Sequence, residues 1–198
     1  VAAGAQERVV HFYNWSNYIA PGVLEDFTRE TGIKVIYDTF DSNEALETRL
    51  LAGKSGYDVV VPGGYFLERQ IKATVFRQLD KTRLPNLAHA WPEVTRALAT
   101  YDPGNTYAAN YMWGTTGIGY NVTKAREVLG SDARIDSWSV VFKPELLAKF
   151  KDCGVSVLED PTDMVSTALL YLGKDPNSQS EADLKLAEDL LVKVRPYI

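Results

Sequence analysis

His11-Phe-Tyr-Asn-Trp-Ser-Asn-Tyr-Ile-Ala-Pro21 decides the reading of this chain. A strand-like run over Val9–Asn14 gives way here to a short segment rich in aromatic and amide side chains, and a helix start follows at Pro21. A segment between the end of a strand and the first turn of a helix sits where open α/β sheets bind ligands. Trp15 and Tyr18 offer flat faces of the kind that suit alkyl chains and ammonium groups. Spacing alone is equally compatible with Phe12, Tyr13, Trp15 and Tyr18 as core aromatics under a loop.

Downstream of that segment the punctuation is regular. Pro21–Glu30 predicts a helix with Pro in its first turn, Leu24 and Phe27 on one face, and Gly32 as its stop. Lys34–Phe40 predicts a second strand. Asp41 or Ser42 then caps a helix running through Ala52, with Glu44 placed for a capping box, Leu46 and Leu50 one turn apart, and Gly53 ending it. Val59–Val61 predicts a third, buried strand, and the turn Pro62-Gly63-Gly64 leads into a helix over Phe66–Ala73. Strand, helix, strand, helix, strand, helix within some 75 residues argues for a parallel sheet with helices on both faces.

After Leu79 the rhythm changes. Pro85, Pro92 and Pro103-Gly104 punctuate an irregular section, and Tyr107–Asn110 and Gly114–Tyr120 predict two extended segments around a turn at Met112-Trp113-Gly114. From Pro144 a second α/β pattern starts: helix Pro144–Phe150, strand Val155–Leu158, helix Asp163–Leu172 and a long helix Ser180–Val194 striped with Leu184, Ala187, Leu191 and Val194. The expected division is a first α/β lobe over 1–110, then a hinge passage and the start of a second lobe over 111–198. One clear strand is too few for a sheet, so the second lobe is expected to be incomplete or to borrow strands.

Composition narrows the function classes. The 198 residues, 45% hydrophobic and 11% aromatic, read as a soluble globular protein rather than a disordered or fibrous one. No apolar run approaches the roughly 20 residues of a membrane helix. A formal net charge of −5 comes without the basic stripe of a nucleic-acid binder and slightly favours a cationic partner. Two histidines, His11 and His89, and one cysteine, Cys153, make a zinc-type cluster improbable. The thiol is expected to be buried, reactive, or paired outside the chain, burial being the commonest of these. Val1-Ala-Ala-Gly-Ala-Gln6 is a small-residue segment of the kind found beside a signal-peptidase cut, with no charged and apolar leader, so export is compatible with the sequence.

Catalytic signatures are absent from the sequence. There is no Gly-x-Ser-x-Gly elbow and no phosphate loop, and Gly117-Ile118-Gly119 lacks the third glycine of a dinucleotide fingerprint. Glu159 and Asp160 form a carboxylate pair of the type used in acid–base work, and Asp163 beside Thr162 equally suits a helix cap. No catalytic residue, cofactor or metal is therefore expected.

YNWSNYIAP, then TGIKVIYDTFDSNE, YDVVVPGGYFLERQ, YMWGTTGIGYN, CGVSVLEDP and YLGKDPN, collinear and covering nearly the whole chain, closely resemble the periplasmic polyamine-binding proteins of bacterial ABC importers. The resemblance implies a two-lobed type II periplasmic-binding-protein fold, with a ligand cleft between lobes and the second lobe incomplete here. It implies capture of a linear polyamine, of the putrescine or spermidine type, for delivery to a membrane permease. It also implies that the family's chain continues past Ile198 and that a cysteine matching Cys153 pairs with one further on. Carried over by motif, Trp15 and Tyr18 are pocket walls, Ser16 and Asn17 polar contacts to an ammonium, Gly63 and Tyr65 the lip after the third strand, and Asp163 an acidic contact from the second lobe.

Departures from the family pattern bear on the ligand. Asn17 stands where Asp or Glu is usual, Gly63 where Ser is usual, Asp163 where a longer Glu is common, and Asn110 where Pro is usual. Exchanging a charge-assisted hydrogen bond for a neutral one weakens an ammonium site by order 1 kcal/mol. The expectation is a shifted preference, with Asn17→Asp plus Gly63→Ser strengthening putrescine binding. A ligand-sensing module for a related amine or amino acid is the alternative use of the same pocket; an enzyme is disfavoured for want of a nucleophile, metal set or cofactor loop.

Overall fold

The computed structural model describes residues 7–132, 134–158 and 160–198. Two compact units divide the chain, a first that ends at Trp113 and a second over Gly114–Ile198. Glu159 and the segment Val1–Gln6 lie outside the described residues.

The first unit is built on a three-stranded parallel sheet in the order β2-β1-β3, with β1 over Val9–Trp15, β2 over Lys34–Phe40 and β3 over Val59–Val60. Val9 stands opposite Lys34 and Trp15 opposite Phe40 along the full length of the central pair, while β3 joins β1 only at Phe12 and Tyr13. Parallel strands require crossovers, and α1 (Val23–Thr31) and α2 (Asn43–Leu51) provide them. α3 (Gly64–Lys72) follows β3. Phe40, Leu46 and Leu50 form the buried core, with Tyr13, Trp15, Val60, Val75 and Phe76 packed against it.

Several local expectations are corrected. α1 begins at Val23 rather than Pro21, because Ala20-Pro21-Gly22-Val23 is a type II turn, with Pro at its second position and Gly22 left-handed at φ 86 in its third. Phe27 faces solvent and α1 buries no residue. Ser42, not Asp41, caps α2, its hydroxyl accepting from the Ala45 N–H, so the third helical position is Ala45 and Glu44 forms no capping box. β3 is an edge strand with Val59 48% exposed, not a buried one. The irregular section contains a helix, α4 (Pro92–Leu98), started by Pro92 at its first position. Tyr107–Asn110 and Gly114–Tyr120 are not strands. Tyr107 and Ala108 instead donate their N–H groups to the buried carboxylate of Asp102, at 2.8 and 2.9 Å.

The second unit is helical among its described residues. α5 (Val122–Leu129), which the sequence reading missed, is capped by Asn121. α6 (Ser139–Phe142) and α7 (Pro144–Leu147) follow, and the helix expected to reach Phe150 tightens after Leu147 into a 3₁₀ stretch ending at Cys153. Cys153 is exposed, contrary to its expected burial. Val155–Leu158 pairs with nothing, since no strand lies among the described residues of this unit, and Leu158 is 56% exposed. α8 (Pro161–Tyr171) and α9 (Glu181–Val194) complete it. Phe142, Ala168, Leu169 and Ala187 are its buried core. Of the predicted stripe on α9, Ala187 and Val194 are buried and Leu184 is not. No described helix is long and apolar enough to cross a membrane.

Candidate functional site

Parallel pairing puts the carboxyl ends of β1, β2 and β3 along one edge of the sheet, and six of the seven candidate residues lie at or just beyond those ends. Trp15 closes β1. Its indole N–H donates to the Val61 carbonyl at 2.8 Å and its ring packs on Phe40 at 4.7 Å, so one part of the side chain is structural. Tyr18 lies 6.1 Å from Trp15 between ring centroids and is 43% exposed, which leaves it available as a wall. Phe12 and Tyr13 are packing residues: Phe12 meets Tyr37 edge to face, and Tyr13 stacks on Tyr57 at 4.3 Å. Of the four aromatics, Phe12 and Tyr13 thus take the packing role that the spacing allowed, and Tyr18 remains exposed.

Ser16 and Asn17 form the bend between those two aromatics. The Tyr18 N–H donates to the Trp15 carbonyl, closing a turn with Asn17 third at φ 62, in the left-handed region that Asn and Asp tolerate. The Ser16 hydroxyl donates to Asp41 at 2.6 Å. Tyr111 donates its hydroxyl to the Tyr18 carbonyl, fastening the far end of the bend.

Asp41, which the sequence offers only as a candidate cap, joins the candidate site through the Ser16 hydrogen bond and brings a charge to it. α2 and α3 both start at this edge, and helix N-termini carry partial positive charge that disfavours a cation. Trp15, Ser16, Asn17, Tyr18, Gly63 and Tyr65 include no carboxylate to offset it; Asp41, one residue beyond β2, supplies one.

Gly63 and Tyr65 meet through a second missed residue, Asn43. Gly63 precedes α3 and donates its N–H to the Asn43 side-chain oxygen at 2.7 Å, while the Asn43 amide nitrogen donates to the Tyr65 hydroxyl at 3.0 Å. Trp15 on Val61 and Asn43 on Gly63 thus hold the same short segment.

Asp163 belongs to the second unit. Asp160 caps α8, its carboxylate accepting the Asp163 N–H at 3.0 Å, which rules out the cap role for Asp163 itself. The Asp163 carboxylate is turned instead to Thr116, whose hydroxyl donates to it at 2.9 Å.

Perturbed ionisation lies away from these residues. The Arg69 guanidinium, in a two-pronged pair with Glu47, holds that carboxyl below its usual range. Burial, then the Asp38 carboxylate at 3.0 Å, raises the Tyr57 phenol. Among the described residues no group of three or more His, Cys, Asp or Glu stands together to hold a metal ion.

Comparison with known proteins identifies the family of the chain. Residues 22–198 match the family model described as bacterial extracellular solute-binding protein. A putrescine-binding periplasmic protein of Pseudomonas aeruginosa (strain UCBPP-PA14) is 54% identical over all 198 residues, which cover 100% of this chain and 54% of that protein. A putrescine-binding periplasmic protein of Escherichia coli (strain K12) is 53% identical over 195 residues, 98% of this chain and 53% of that one. The chain thus spans about half the length of the curated relatives it matches. Among solved structures, the TpPotD lipoprotein of Treponema pallidum superposes with a TM-score of 0.80 at 28% identity, over 94% of this chain and 55% of that one. With a parallel α/β sheet, a cluster at its carboxyl edge and a family match across most of its length, this chain belongs to the bacterial extracellular solute-binding proteins.

Proposed function

We propose that this chain is the polyamine-recognising part of a periplasmic receptor that captures putrescine or a closely related linear amine and hands it to an ABC importer. The observation that carries the reading is the pairing, at one sheet edge, of an aromatic wall with a carboxylate-backed hydroxyl: Trp15 and Tyr18 beside Ser16 and Asp41. Relatives named for putrescine supply the ligand class.

The chemistry suits that ligand. An alkylammonium is purely a donor, so its recognition needs acceptors at its ends and flat apolar walls along its methylenes; an unpaired buried ammonium costs several kcal/mol. The Ser16 hydrogen is committed to Asp41, which leaves the Ser16 oxygen lone pairs as acceptors strengthened by the charge behind them. Asn17 contributes a neutral acceptor, and ring faces add roughly 0.5–2 kcal/mol of cation–π attraction. The family resemblance adds Asp163, whose carboxylate accepts from the Thr116 hydroxyl at 2.9 Å, as a candidate acidic acceptor for a second ammonium. Handover to a permease involves no covalent change to the ligand.

Calorimetric titration with putrescine, cadaverine, spermidine, spermine and 4-aminobutyrate tests the reading, using this chain and a version extended to its relatives' length. Micromolar or tighter binding of a diamine or polyamine by either is expected; silence from both refutes it. Asp41→Asn is expected to weaken putrescine binding about five- to tenfold, the difference between a charged and a neutral acceptor, with melting unchanged. Unaltered affinity would remove Asp41 from the site.

A further inference from the structure

Asn43 is 3% exposed, at the first position of α2, and its amide is engaged on both sides. Helix capping does not explain it, because Ser42 already performs that role through the Ala45 N–H. A buried side-chain amide costs a few kcal/mol unless its polar atoms are bonded. Here the bonds leave the helix altogether: the oxygen accepts from Gly63 at 2.7 Å and the nitrogen donates to Tyr65 at 3.0 Å. A planar amide with one partner on each polar atom fixes both partners in one relative position.

Gly63 sits hard against that amide. A Cβ built at Gly63 would lie 3.0 Å from the Asn43 nitrogen and 3.1 Å from its oxygen, closer than nearly all real contacts of that kind. Its neighbour is blocked more severely, since a Cβ at Gly64 would stand 2.6 Å from the Tyr101 ring. A side chain at 63 therefore meets the Asn43 amide first, and that amide is the group bonded to Tyr65.

We infer that Asn43 is the positioning residue of this edge, holding the Tyr65 hydroxyl and the Gly63 backbone as one unit, so that positions 63 and 65 contribute to amine recognition jointly and through Asn43. This rests on the polyamine reading for the ligand, but its mechanical part does not. Asn43 itself touches no ligand in this account. The selectivity expected from a residue change at 63 is therefore the sum of what the new group contacts and what Tyr65 loses as Asn43 shifts.

The test has a ligand-free arm and a ligand arm. In ¹H–¹⁵N spectra of the ligand-free protein, Tyr65→Phe and Gly63→Ala are each expected to shift the Asn43 side-chain amide resonances while leaving the Gln70 pair in place. In putrescine titrations, Asn43→Ala and Tyr65→Phe are each expected to weaken binding about two- to tenfold, the range of one neutral hydrogen bond. The double variant should be no weaker than the weaker single, because both remove the same arrangement. Losses that multiply, or an Asn43 amide unmoved by Tyr65→Phe, overturn the inference. Absence of amine binding by the wild-type protein overturns the polyamine reading alone, since the spectra still decide the role of Asn43.

Discussion

Two short valine-bearing runs, Val59–Val60 in the first unit and Val155–Leu158 in the second, have similar sequences and different outcomes. The first becomes a strand because Phe12 and Tyr13 of β1 lie beside it in register. The second stays irregular because no strand is available among the described residues of its unit. β propensity describes a side chain that fits a pleated surface, and the surface must be provided by a neighbour. Helices show no such contrast, as each closes its own hydrogen bonds, and α2 and α9 form where their patterns predict in both units.

The sharpest way to break this contrast is through the two cores. Phe142, 1% exposed, lies between Trp138 and Tyr171 in the second unit, and Phe142→Ala is expected to cost about 3–5 kcal/mol. Leu46, fully buried against Phe40 and Leu50 in the first, should cost about 2–5 kcal/mol as Leu46→Ala. Scanning calorimetry should show each substitution lowering the transition of its own unit; equal displacement of all transitions by both would refute the separation of the cores.

Helix caps give a smaller effect that compares the units directly. Ser42→Ala at α2 and Asp160→Ala at α8 are each expected to cost about 1 kcal/mol in urea unfolding. Glu44→Ala should change stability by less than about 0.5 kcal/mol, given that no capping box forms. A loss at Glu44 matching that at Ser42 would restore the capping box.

The Glu47–Arg69 pair of the first unit gives the smallest effect. Its sign follows from the lowered carboxyl: the contribution is complete above the unfolded value near 4.5 and is lost as pH falls through the lower folded value. Arg69 is 56% exposed, so solvent screening limits the pair to about 0.5–1 kcal/mol. The stability gap between wild type and Glu47→Gln, measured in urea at pH 6 and again at pH 3, should shrink at the lower pH. A gap that widens on acidification would contradict the pairing.

Legibility followed the range of the interaction. Lys34–Phe40, the Gly32 stop and the span of α9 are local matters of periodicity and punctuation, and they stand where the residues put them. The start of α1 was misread because Pro21 suits both a helix start and the second position of a turn, and Gly22 selects the turn. In the candidate site, Trp15, Ser16, Asn17 and Tyr18 were legible as one continuous stretch. Asp41 and Asn43 were not, since a polar residue near a helix start looks like a cap until its partner is known, and their partners lie 25 residues away at Ser16 and 20 to 22 away at Gly63 and Tyr65.

By itself the sequence determined a parallel α/β beginning, the aromatic loop after its first strand and, through its collinear motifs, a solute-binding family. Only the tertiary structure decided which aromatics pack together and which stay exposed, that Asp41 accepts from Ser16, and that Asn43 joins Gly63 to Tyr65. The reason is physical: turns and helices are specified by neighbours along the chain, whereas the direction of a hydroxyl or an amide is specified by whatever the folded chain brings within 3 Å of it.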